Sequence, residues 1–291
     1  MSPPQSHEQE QIEQRPRDWD AATYDRVSDA HARWGADVVS RLRLAGDESV
    51  LDAGCGSGRV TEQLLARLPR GRVIGLDASP RMLAEAGRRL ERYGDRVAFV
   101  CADLNQPLPL VRISHLPDRV ASRTRSALPG TRNAGSERQV AAILSTATFH
   151  WLPDHDALFS RLAAALQPDG QLVAQCGGAG CIATVVDALR SVGDGWPGPW
   201  HFATAEATRQ RLEAAGFVDV QTWLNDEPTP LEAGEPLETF LATVVLGAHL
   251  DRMPERERAP FVSAVAARLP HPDRPVIDYV RLNIVARRPA S

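Results

Sequence analysis

The sequence predicts an α/β protein in which a doubly wound parallel sheet is covered by helices on both faces. Short apolar runs alternate with segments whose apolar residues recur at helical spacing, and turns rich in glycine or proline separate them. The 291 residues have room for one large domain with appendages or two small ones. The composition, 43% hydrophobic and 24% charged, is that of an ordinary globular protein.

The first half of the chain contains three predicted strands, each preceded or followed by a helix. Leu64, Leu65 and Leu68 lie on one face of the helix that follows a glycine-rich turn. Ser79 and Pro80 are the cap and first residue typical of a helix start. In order, we expect a helical lead-in at 19–44, a strand at 49–52, a helix at 59–68, a strand at 72–76, a helix from 80 to before Gly94, and a strand at 97–101.

The second half repeats this alternation and ends on a strand. Two helices precede that strand and could form a small cap at about 234–270, the second with Pro260 in its first turn. In order, we expect a strand at 141–144, a helix at 156–166, strands at 171–176 and 218–223 on either side of a helix at 205–215, helices at 237–250 and 259–269, and a strand at 279–286.

Two segments do not fit the alternation. Residues 1–18 are polar and are predicted to be a disordered tail, which leaves 19–291 as the folded domain. The arginine-rich segment 111–139 has no sustained periodicity, and so long an irregular connection is uncommon inside a compact domain. Disorder, a loop that binds substrate or a partner, and an error in the gene model all remain open for this insert.

Charge and hydropathy exclude several classes of function. The formal charge of −4 provides no positive excess for nucleic acid or an anionic membrane surface. The longest apolar stretches, such as 241–248, are far shorter than the roughly 18 residues that cross a bilayer. The polar first eighteen residues lack the apolar core of a secretory signal. We therefore expect a cytoplasmic protein that acts on a small molecule; its oligomeric state stays open.

The cysteines and histidines do not indicate a metal site. The number and spacing of Cys55, Cys101, Cys176 and Cys181 match neither a disulfide framework nor a zinc site, so reduced thiols are expected. His150 and His155 have no accompanying carboxylate arrangement typical of a metal centre.

A glycine-rich turn, Asp52-Ala-Gly-Cys-Gly-Ser-Gly58, connects the first strand to its helix. Glycine allows the sharp turn and the close approach of a ligand, and the N-terminus of the helix is expected to favour an anionic group. A dinucleotide fingerprint requires a small residue where Arg59 stands, which weakens a nicotinamide-binding interpretation.

Three aspartates follow or end the first three predicted strands. Asp52 can face an ammonium group, Asp77 is placed to accept hydrogen bonds from ribose hydroxyls, and Asp103 can accept one from a purine amine. Taken singly, each could also be a solvated turn residue or a helix cap. Together with the glycine turn, they favour a nucleoside-containing ligand.

These segments carry a family resemblance. Residues 52–58, 75–82 and 102–104 resemble the successive cofactor motifs of class I S-adenosylmethionine-dependent methyltransferases. The resemblance covers the chain from about residue 19 except for the insert. It implies a Rossmann-like, seven-stranded sheet, mostly parallel with an antiparallel last strand, and S-adenosyl-L-methionine as the cofactor.

Within that family, residues 149–155, 166–170, 173–175 and 283–288 are similar to trans-aconitate methyltransferases, which methylate a carboxylate of a small polycarboxylic acid. Ser145 replaces a common Asn, and 176–180 lacks the usual proline-containing turn. The sequence thus predicts methyl transfer to a small organic acid resembling trans-aconitate. The alternatives are a binding protein without catalysis, methylation of oxygen or nitrogen in another metabolite, and a nicotinamide-dependent oxidoreductase.

The resemblance also implies the site residues. Those for the cofactor are Asp52, Gly54, Gly56, Gly58, Asp77, Ala78, Met82, Asp103, Leu104, Thr146 and Tyr24. His150 and Trp151 are candidates for the substrate side. His150 would remove a proton from a hydroxyl or amine acceptor, whereas a carboxylate needs no base; a packed histidine is the alternative. Arg252, Arg256 and Arg281 are candidates for binding an acidic substrate, and the sequence does not choose among them.

Overall fold

The computed structural model describes residues 29–108 and 139–290, with side chains from residue 33 onward. The predicted tail 1–18, Tyr24 and the insert 111–139 apart from Gln139 lie outside the described residues. In the part that is described, no helix is long and apolar enough to cross a membrane.

Seven strands form one sheet in the order β3-β2-β1-β4-β5-β7-β6. The pairs among β1 to β5 are parallel, and β7 is antiparallel to both of its neighbours. This confirms the predicted mostly parallel sheet with an antiparallel last strand. The strands are β1 Ser49–Ala53, β2 Arg72–Asp77, β3 Val97–Cys101, β4 Val140–Thr146, β5 Leu166–Gly177, β6 Val218–Pro230 and β7 Val276–Arg287.

Helices cover both faces of this sheet. The α-helices are α1 Asp29–Ser40, α2 Arg59–Ala66, α3 Pro80–Leu90, α4 His155–Ala165, α5 Ala183–Val192, α6 Ala205–Ala214, α7 Glu235–Phe240, α8 Gly247–Leu250 and α9 Glu255–Ala266. Two 3-10 segments, Glu91–Arg96 and Phe149–Trp151, and one π-helical segment, Leu241–Val245, complete the described structure.

The core lies on the two faces of the central strands. On one face, Leu64 and Leu65 of α2 are buried with Val50 and Val173 of the sheet. On the other face, a second cluster joins side chains of β1 and β4 to those of α4 and α6. Because β1 is covered on both sides, its last four residues are fully buried. The sheet therefore gives the loops at its carboxyl edge a rigid base.

The start of α3 forms as the sequence predicts. The Ser79 hydroxyl accepts a hydrogen bond from the backbone N–H of Met82 at 3.2 Å, and Pro80 is the first helical residue. The helix ends at Leu90, earlier than expected, and the chain reaches Gly94 through a 3-10 segment. This cap places Met82 close to the end of β2.

Several predicted boundaries are wrong. Helix α5 was not predicted, although Val185, Ala188 and Leu189 recur at helical spacing and are buried. Strand β6 continues to Pro230 because β7 pairs with it along this whole length. Pro260 lies inside α9, not in its first turn, because the helix begins at Glu255.

The segment 234–270 contains three α-helices and a π-helical segment in place of the two expected helices. Leu237 and Phe240 of α7, together with Val262 and Val265 of α9, pack in a third apolar cluster with residues of α5 and β7. This cluster holds the segment beside the carboxyl edge of the sheet.

Candidate active site

A cavity of about 1100 Å³ lies where the carboxyl ends of the parallel strands meet the helices of 234–270. Its two sides differ in composition. We call the first the glycine-loop half, formed by Gly54, Gly56, Asp77, Ala78, Met82, Asp103, Leu104 and Thr146. We call the second the aromatic half, formed by Trp34, His150, Trp151, Gln175, Trp196, Trp200, Phe202, Arg252, Tyr279 and Arg281.

The glycine turn after β1 has two positions that only glycine occupies easily. Gly54 has a φ of 83°, and a Cβ there would lie 2.1 Å from Oγ1 of Thr148. Gly56 has a φ of 53°, and a Cβ there would meet no atom within 4 Å. Because Gly56 lines the cavity, a side chain at this position would take space from a ligand.

Four backbone N–H groups of this turn donate within the chain. Those of Gly54 and Cys55 donate to the carbonyl of Leu76, that of Gly56 to Asp77, and that of Gly58 to the carbonyl of Cys55. The anion site expected at the N-terminus of the following helix stays a prediction. At Gly56 the missing Cβ leaves room for a ligand, whereas at Gly54 it leaves room for Thr148.

Asp77, at the end of β2, is fixed by two backbone donors. One carboxylate oxygen accepts from Gly56 N–H and the other from Ser79 N–H, both at 2.9 Å. A carboxylate has about four acceptor positions, so these two hydrogen bonds do not use all the acceptor positions of Asp77. The spacing of the two oxygens matches the vicinal hydroxyls of a ribose.

Two residues predicted for the cofactor do not line the cavity. Asp52 is fully buried beneath the turn, and its Oδ2 accepts a hydrogen bond from the Thr61 hydroxyl at 2.6 Å. Burial raises the pKa of Asp52 to about 7, opposed by the Thr61 hydrogen bond. At Gly58 a Cβ would approach Leu90 and Ala86 of α3, so this glycine allows two helices to pack closely.

The other residues predicted for the cofactor line one continuous wall. In the turn after β3, one carboxylate oxygen of Asp103 accepts a hydrogen bond from the backbone N–H of Asn105 at 2.8 Å. Leu104 and Met82 are both only 4% exposed and present apolar surface to the cavity. Thr146 ends β4 beside them. The structure thus brings these predicted residues together along the edge of β1 to β4.

The aromatic half contains a contiguous group of rings. Phe202 is stacked on both Trp200 and His150, with ring centroids 5.9 Å apart in each pair. Trp151 lies 6.1 Å from Trp200 and 5.1 Å from His150. We call His150, Trp151, Trp200 and Phe202 the ring group. Such a surface binds planar or apolar groups of a ligand in preference to a fully hydrated ion.

His150 is oriented by the backbone. Its Nδ1 accepts a hydrogen bond from the Gly177 N–H at 3.3 Å, so the proton of the neutral imidazole is on Nε2. A nitrogen that carries its proton cannot take another from a substrate. This geometry opposes the expected role of His150 as a base and suits a hydrogen-bond donor.

Arg281 of β7 is a buried cation in the aromatic half. Arg281 is only 2% exposed. Its guanidinium lies 4.6 Å above the Trp34 ring, and its Nε–H donates a hydrogen bond to Oε1 of Gln175 at 3.4 Å. Among the residues that the structure describes, no carboxylate oxygen lies within 4.0 Å of its nitrogens. An unpaired buried charge is unfavourable, so an anionic ligand is its natural complement.

A buried amide network fixes Arg281. The amide of Gln175 donates to Oδ1 of Asn283 at 2.9 Å, and the amide of Asn283 donates to the backbone carbonyl of Arg281 at 3.1 Å. Arg41 of the segment after α1 also donates to Oδ1 of Asn283, at 2.6 Å. These contacts join β5, β7 and the helical lead-in and hold the guanidinium in one orientation.

The other two candidate arginines differ from Arg281. Arg256 is highly exposed and lies 3.3 Å from Glu257. Arg252 stacks on the Trp196 ring at 4.2 Å and lies 3.7 Å from Asp194. Burial and the absence of a described carboxylate partner therefore single out Arg281, a choice that the sequence could not make.

Comparison with known proteins decides the family. Residues 50–122 match the family described as a methyltransferase domain. Over 93% of this chain and 98% of the relative, the sequence is 32% identical to a protein of Methylobacterium nodulans named trans-aconitate 2-methyltransferase. The chain belongs to the S-adenosylmethionine-dependent methyltransferases. Proteins of the same name from Methylobacterium radiotolerans and Paracidovorax citrulli are 28% and 27% identical to this methyltransferase over similar lengths.

Solved structures agree in fold with this methyltransferase. Phosphoethanolamine N-methyltransferase 2 of Haemonchus contortus, solved with S-adenosylhomocysteine, superposes with a TM-score of 0.53 at 18% identity. It matches 88% of this chain and 52% of its own, so this methyltransferase spans about half its length. The [4+2]-cyclase SpnF superposes with a TM-score of 0.54 at 21% identity, over 89% of this chain and 81% of its own.

The cofactor of this methyltransferase is S-adenosylmethionine, and the described residues suit it. The cavity is open at Gly56, where a Cβ would meet nothing, and it is bounded there by the Asp77 carboxylate and by apolar surface from Met82 and Leu104. A carboxylate for the ribose and apolar surface for the base suit the nucleoside part of this cofactor.

Sequence reasoning missed part of the aromatic half. Trp196 and Trp200 lie in the segment Gly195-Trp-Pro-Gly-Pro-Trp200 between α5 and α6, and both line the cavity. Two tryptophans in a short loop rich in proline and glycine were an available signal. Gln175 was noted only as part of a motif, and its contact with Arg281 could not be read from the sequence.

Proposed function

We propose that this methyltransferase methylates a carboxylate of a small organic acid, in the manner implied by its trans-aconitate-like motifs. The observation that carries the proposal is Arg281, a buried guanidinium in the aromatic half with no described carboxylate partner. A planar guanidinium binds a carboxylate through two parallel hydrogen bonds. The names of the relatives, trans-aconitate 2-methyltransferase, support the same class of acceptor.

The glycine-loop half would hold the cofactor. Asp77 would accept hydrogen bonds from the ribose hydroxyls, and Asp103 one from the adenine amine. Met82 and Leu104 would pack on the adenine. Gly56 would leave room for the methionine part, and the backbone of Gly54 would line the same space. Ala78 and Thr146 would complete the wall. Asp52 and Gly58 support this half from beneath: Asp52 bonds Thr61, and Gly58 packs against α3.

When bound, S-adenosylmethionine supplies an electrophilic methyl group on a positively charged sulfur. The acceptor carboxylate forms the new O–C bond while the electrons of the S–C bond return to sulfur, so no proton is transferred. The main task of the chain is therefore to hold a carboxylate oxygen in line with that bond. Arg281, oriented by Gln175, would fix the carboxylate, and Nε2–H of His150 would add a hydrogen bond.

A hydroxyl or amine acceptor would need a group to take its proton. The sequence offered His150 for this role, but Nδ1 of His150 accepts the Gly177 N–H. The carboxylate is the acceptor that requires nothing further from this histidine.

The product identifies the acceptor atom. Protein incubated with tritiated S-adenosylmethionine and a panel of acids, starting with trans-aconitate, is expected to release S-adenosylhomocysteine and form a methyl ester. Mild base converts that ester to volatile methanol, whereas N-methyl and ether O-methyl groups survive. A base-stable product would overturn the proposal.

Substitutions at Arg281 test whether this residue binds the acceptor carboxylate. Arg281→Gln is expected to reduce kcat/KM about 100-fold or more with cofactor affinity unchanged, because it removes the charged partner of the acceptor. Arg281→Lys should recover part of the activity. Arg256→Gln, an exposed arginine on α9, is the matched control and should retain full activity. Equal activity of Arg281→Gln and the unchanged protein would refute the assignment.

A further inference from the structure

The aromatic half offers more apolar ring surface than a small polycarboxylic acid can use. Four of the six tryptophans of the chain, Trp34, Trp151, Trp196 and Trp200, line the cavity. Trp200 and Phe202 are only partly buried and line the open space. Val244 and Ala248 from the segment 234–270 extend the same apolar wall.

The ring group forms a continuous surface. Phe202 connects Trp200 and His150 by near-parallel stacking, with interplanar angles of 10° and 19°. Aromatic and apolar walls with a few convergent polar groups are typical of pockets for small molecules of mixed character. A planar apolar ligand would bury the ring surface of Trp200 and Phe202, whereas a fully charged ligand would lose hydration against it without gaining a polar contact.

The charges on the lining do not suit a trianion. Among the described residues that line the cavity, positive and negative side chains balance: Arg59, Arg161, Arg252 and Arg281 against Asp77, Asp103, Asp154 and Asp251. Arg252 lies close to Asp194, and Arg161 donates to the backbone carbonyl of Leu104. Among the described arginines of the lining, only Arg281 is buried, so a tricarboxylate would place two further negative charges in the cavity without a second buried guanidinium.

We propose that the preferred acceptor is a monocarboxylic acid with an aromatic body, whose carboxylate lies on Arg281 and whose ring packs against the ring group. This inference rests on the proposed function and narrows its substrate class. One buried guanidinium matches one carboxylate. The ring group matches a planar apolar body better than it matches the polar arms of trans-aconitate.

Binding tests this preference. The protein saturated with S-adenosylhomocysteine is titrated with trans-cinnamate, phenylacetate, crotonate, trans-aconitate and cinnamamide, and binding is followed by calorimetry and tryptophan fluorescence. We expect at least one aromatic acid to bind tenfold or more tightly than crotonate, which lacks the ring, and trans-aconitate. Cinnamamide, which lacks the charge, should bind at least tenfold more weakly than cinnamate.

The variants compare Trp200 with an aromatic residue outside the cavity. Trp200→Leu should weaken binding of the aromatic acid about fivefold and leave crotonate within twofold, and Trp200→Phe should restore most of the loss. Tyr93→Leu, in the 3-10 segment Glu91–Arg96 and away from the cavity lining, should leave both affinities unchanged. A loss for crotonate as large as for the aromatic acid would indicate a damaged pocket and overturn the ring contact.

Two outcomes separate this inference from the function on which it rests. Tighter binding of trans-aconitate than of every aromatic acid, with a methyl ester as product, overturns the aromatic preference and leaves carboxylate methylation intact. Aromatic preference in binding without a methyl ester from any acid supports the pocket assignment and overturns carboxylate methylation. Weak binding of all the acids overturns both.

Discussion

The two halves of the cavity are built in different ways. In the glycine-loop half, the residues come from the last positions of β2 and β4, from the turns after β1, β2 and β3, and from the first turn of α3, all at one edge of the sheet. In the aromatic half, Trp34 belongs to α1, His150 to a 3-10 segment, Trp200 to a loop and Arg281 to β7.

This difference determines how much of each half can be predicted. Neighbouring parallel strands bring their carboxyl ends together whenever the sheet forms, so short local motifs identify the glycine-loop half. The aromatic half exists only after α1, the loop before α6 and β7 have packed together.

The largest effect is expected at Asp52, beneath the glycine-loop half. Its pKa in the folded protein, about 7, lies above the ordinary 3.8, so the folded state holds the proton more tightly. The free energy of unfolding should therefore fall as the pH rises from about 4 to about 7, by on the order of 4 kcal/mol from this group. Urea unfolding at a series of pH values measures this decline.

Asp52→Asn keeps an acceptor for the Thr61 hydroxyl and removes the titration. The variant should match the unchanged protein near pH 4 and be more stable above pH 7. Parallel stability curves for the two proteins at all pH values would show that Asp52 does not titrate in this range.

A substitution at Gly56 tests whether this glycine is needed to leave space for the ligand or only to let the turn pack. Gly56→Val should weaken S-adenosylhomocysteine about 100-fold because the side chain enters the cavity. Gly94→Val is the matched control: its φ of 54° is nearly the same, and a Cβ there also meets nothing within 4 Å, but it lies away from the cavity. Calorimetry should show unchanged affinity for the control, with comparable losses of Tm. Equal loss of affinity in both would contradict the role of Gly56.

Substitutions at Asp77 test the proposed hydrogen bonds between its carboxylate and the cofactor in the glycine-loop half. Asp77→Ala should weaken cofactor binding about 30-fold, since it removes the acceptor for two hydroxyls and the anchor of two backbone N–H groups. Asp77→Asn should lose less, because one oxygen remains. Asp95→Ala, an exposed aspartate, serves as the control. Calorimetric titration that finds Asp77→Ala within threefold of the unchanged protein would remove Asp77 from the site.

Gly58 is expected to affect stability alone. Gly58→Ala places a Cβ 3.0 Å from Leu90 and 3.2 Å from Ala86 at a φ of 82°, which should cost about 1–2 kcal/mol of unfolding free energy. Affinity for S-adenosylhomocysteine should stay within twofold. A tenfold loss of affinity without loss of stability would place Gly58 at the ligand after all.

The smallest effect concerns His150 in the aromatic half. Asn in place of His150 still offers an oxygen to the Gly177 N–H and lacks the Nε2–H, so kcat should fall only about three- to tenfold. The pH dependence of kcat/KM should keep its shape. A loss of more than 100-fold together with loss of the acidic limb of the profile would restore the histidine as a base.

The predictions from sequence succeeded where a signal was local. The cap at Ser79, strand β3 and the alternation of strands and helices all depend on residues close together in the chain. The predicted end of β6 was wrong, because pairing with β7 extends this strand to Pro230. The motif groups Gly58 with Gly56, but Gly58 packs against α3 and does not line the cavity.

The sequence by itself determined the doubly wound sheet, the cofactor class and the wall from Asp77 to Thr146, because these follow from short-range periodicity and from motifs at the ends of adjacent strands. Only the tertiary structure decided that Arg281 is a buried cation, that Gln175 orients it and that the tryptophans of the loop before α6 line the same cavity. Burial and charge pairing depend on which distant segments meet. The burial of an arginine cannot be known from its place in the sequence, because it depends on the packing of β5, β7 and α1 around it.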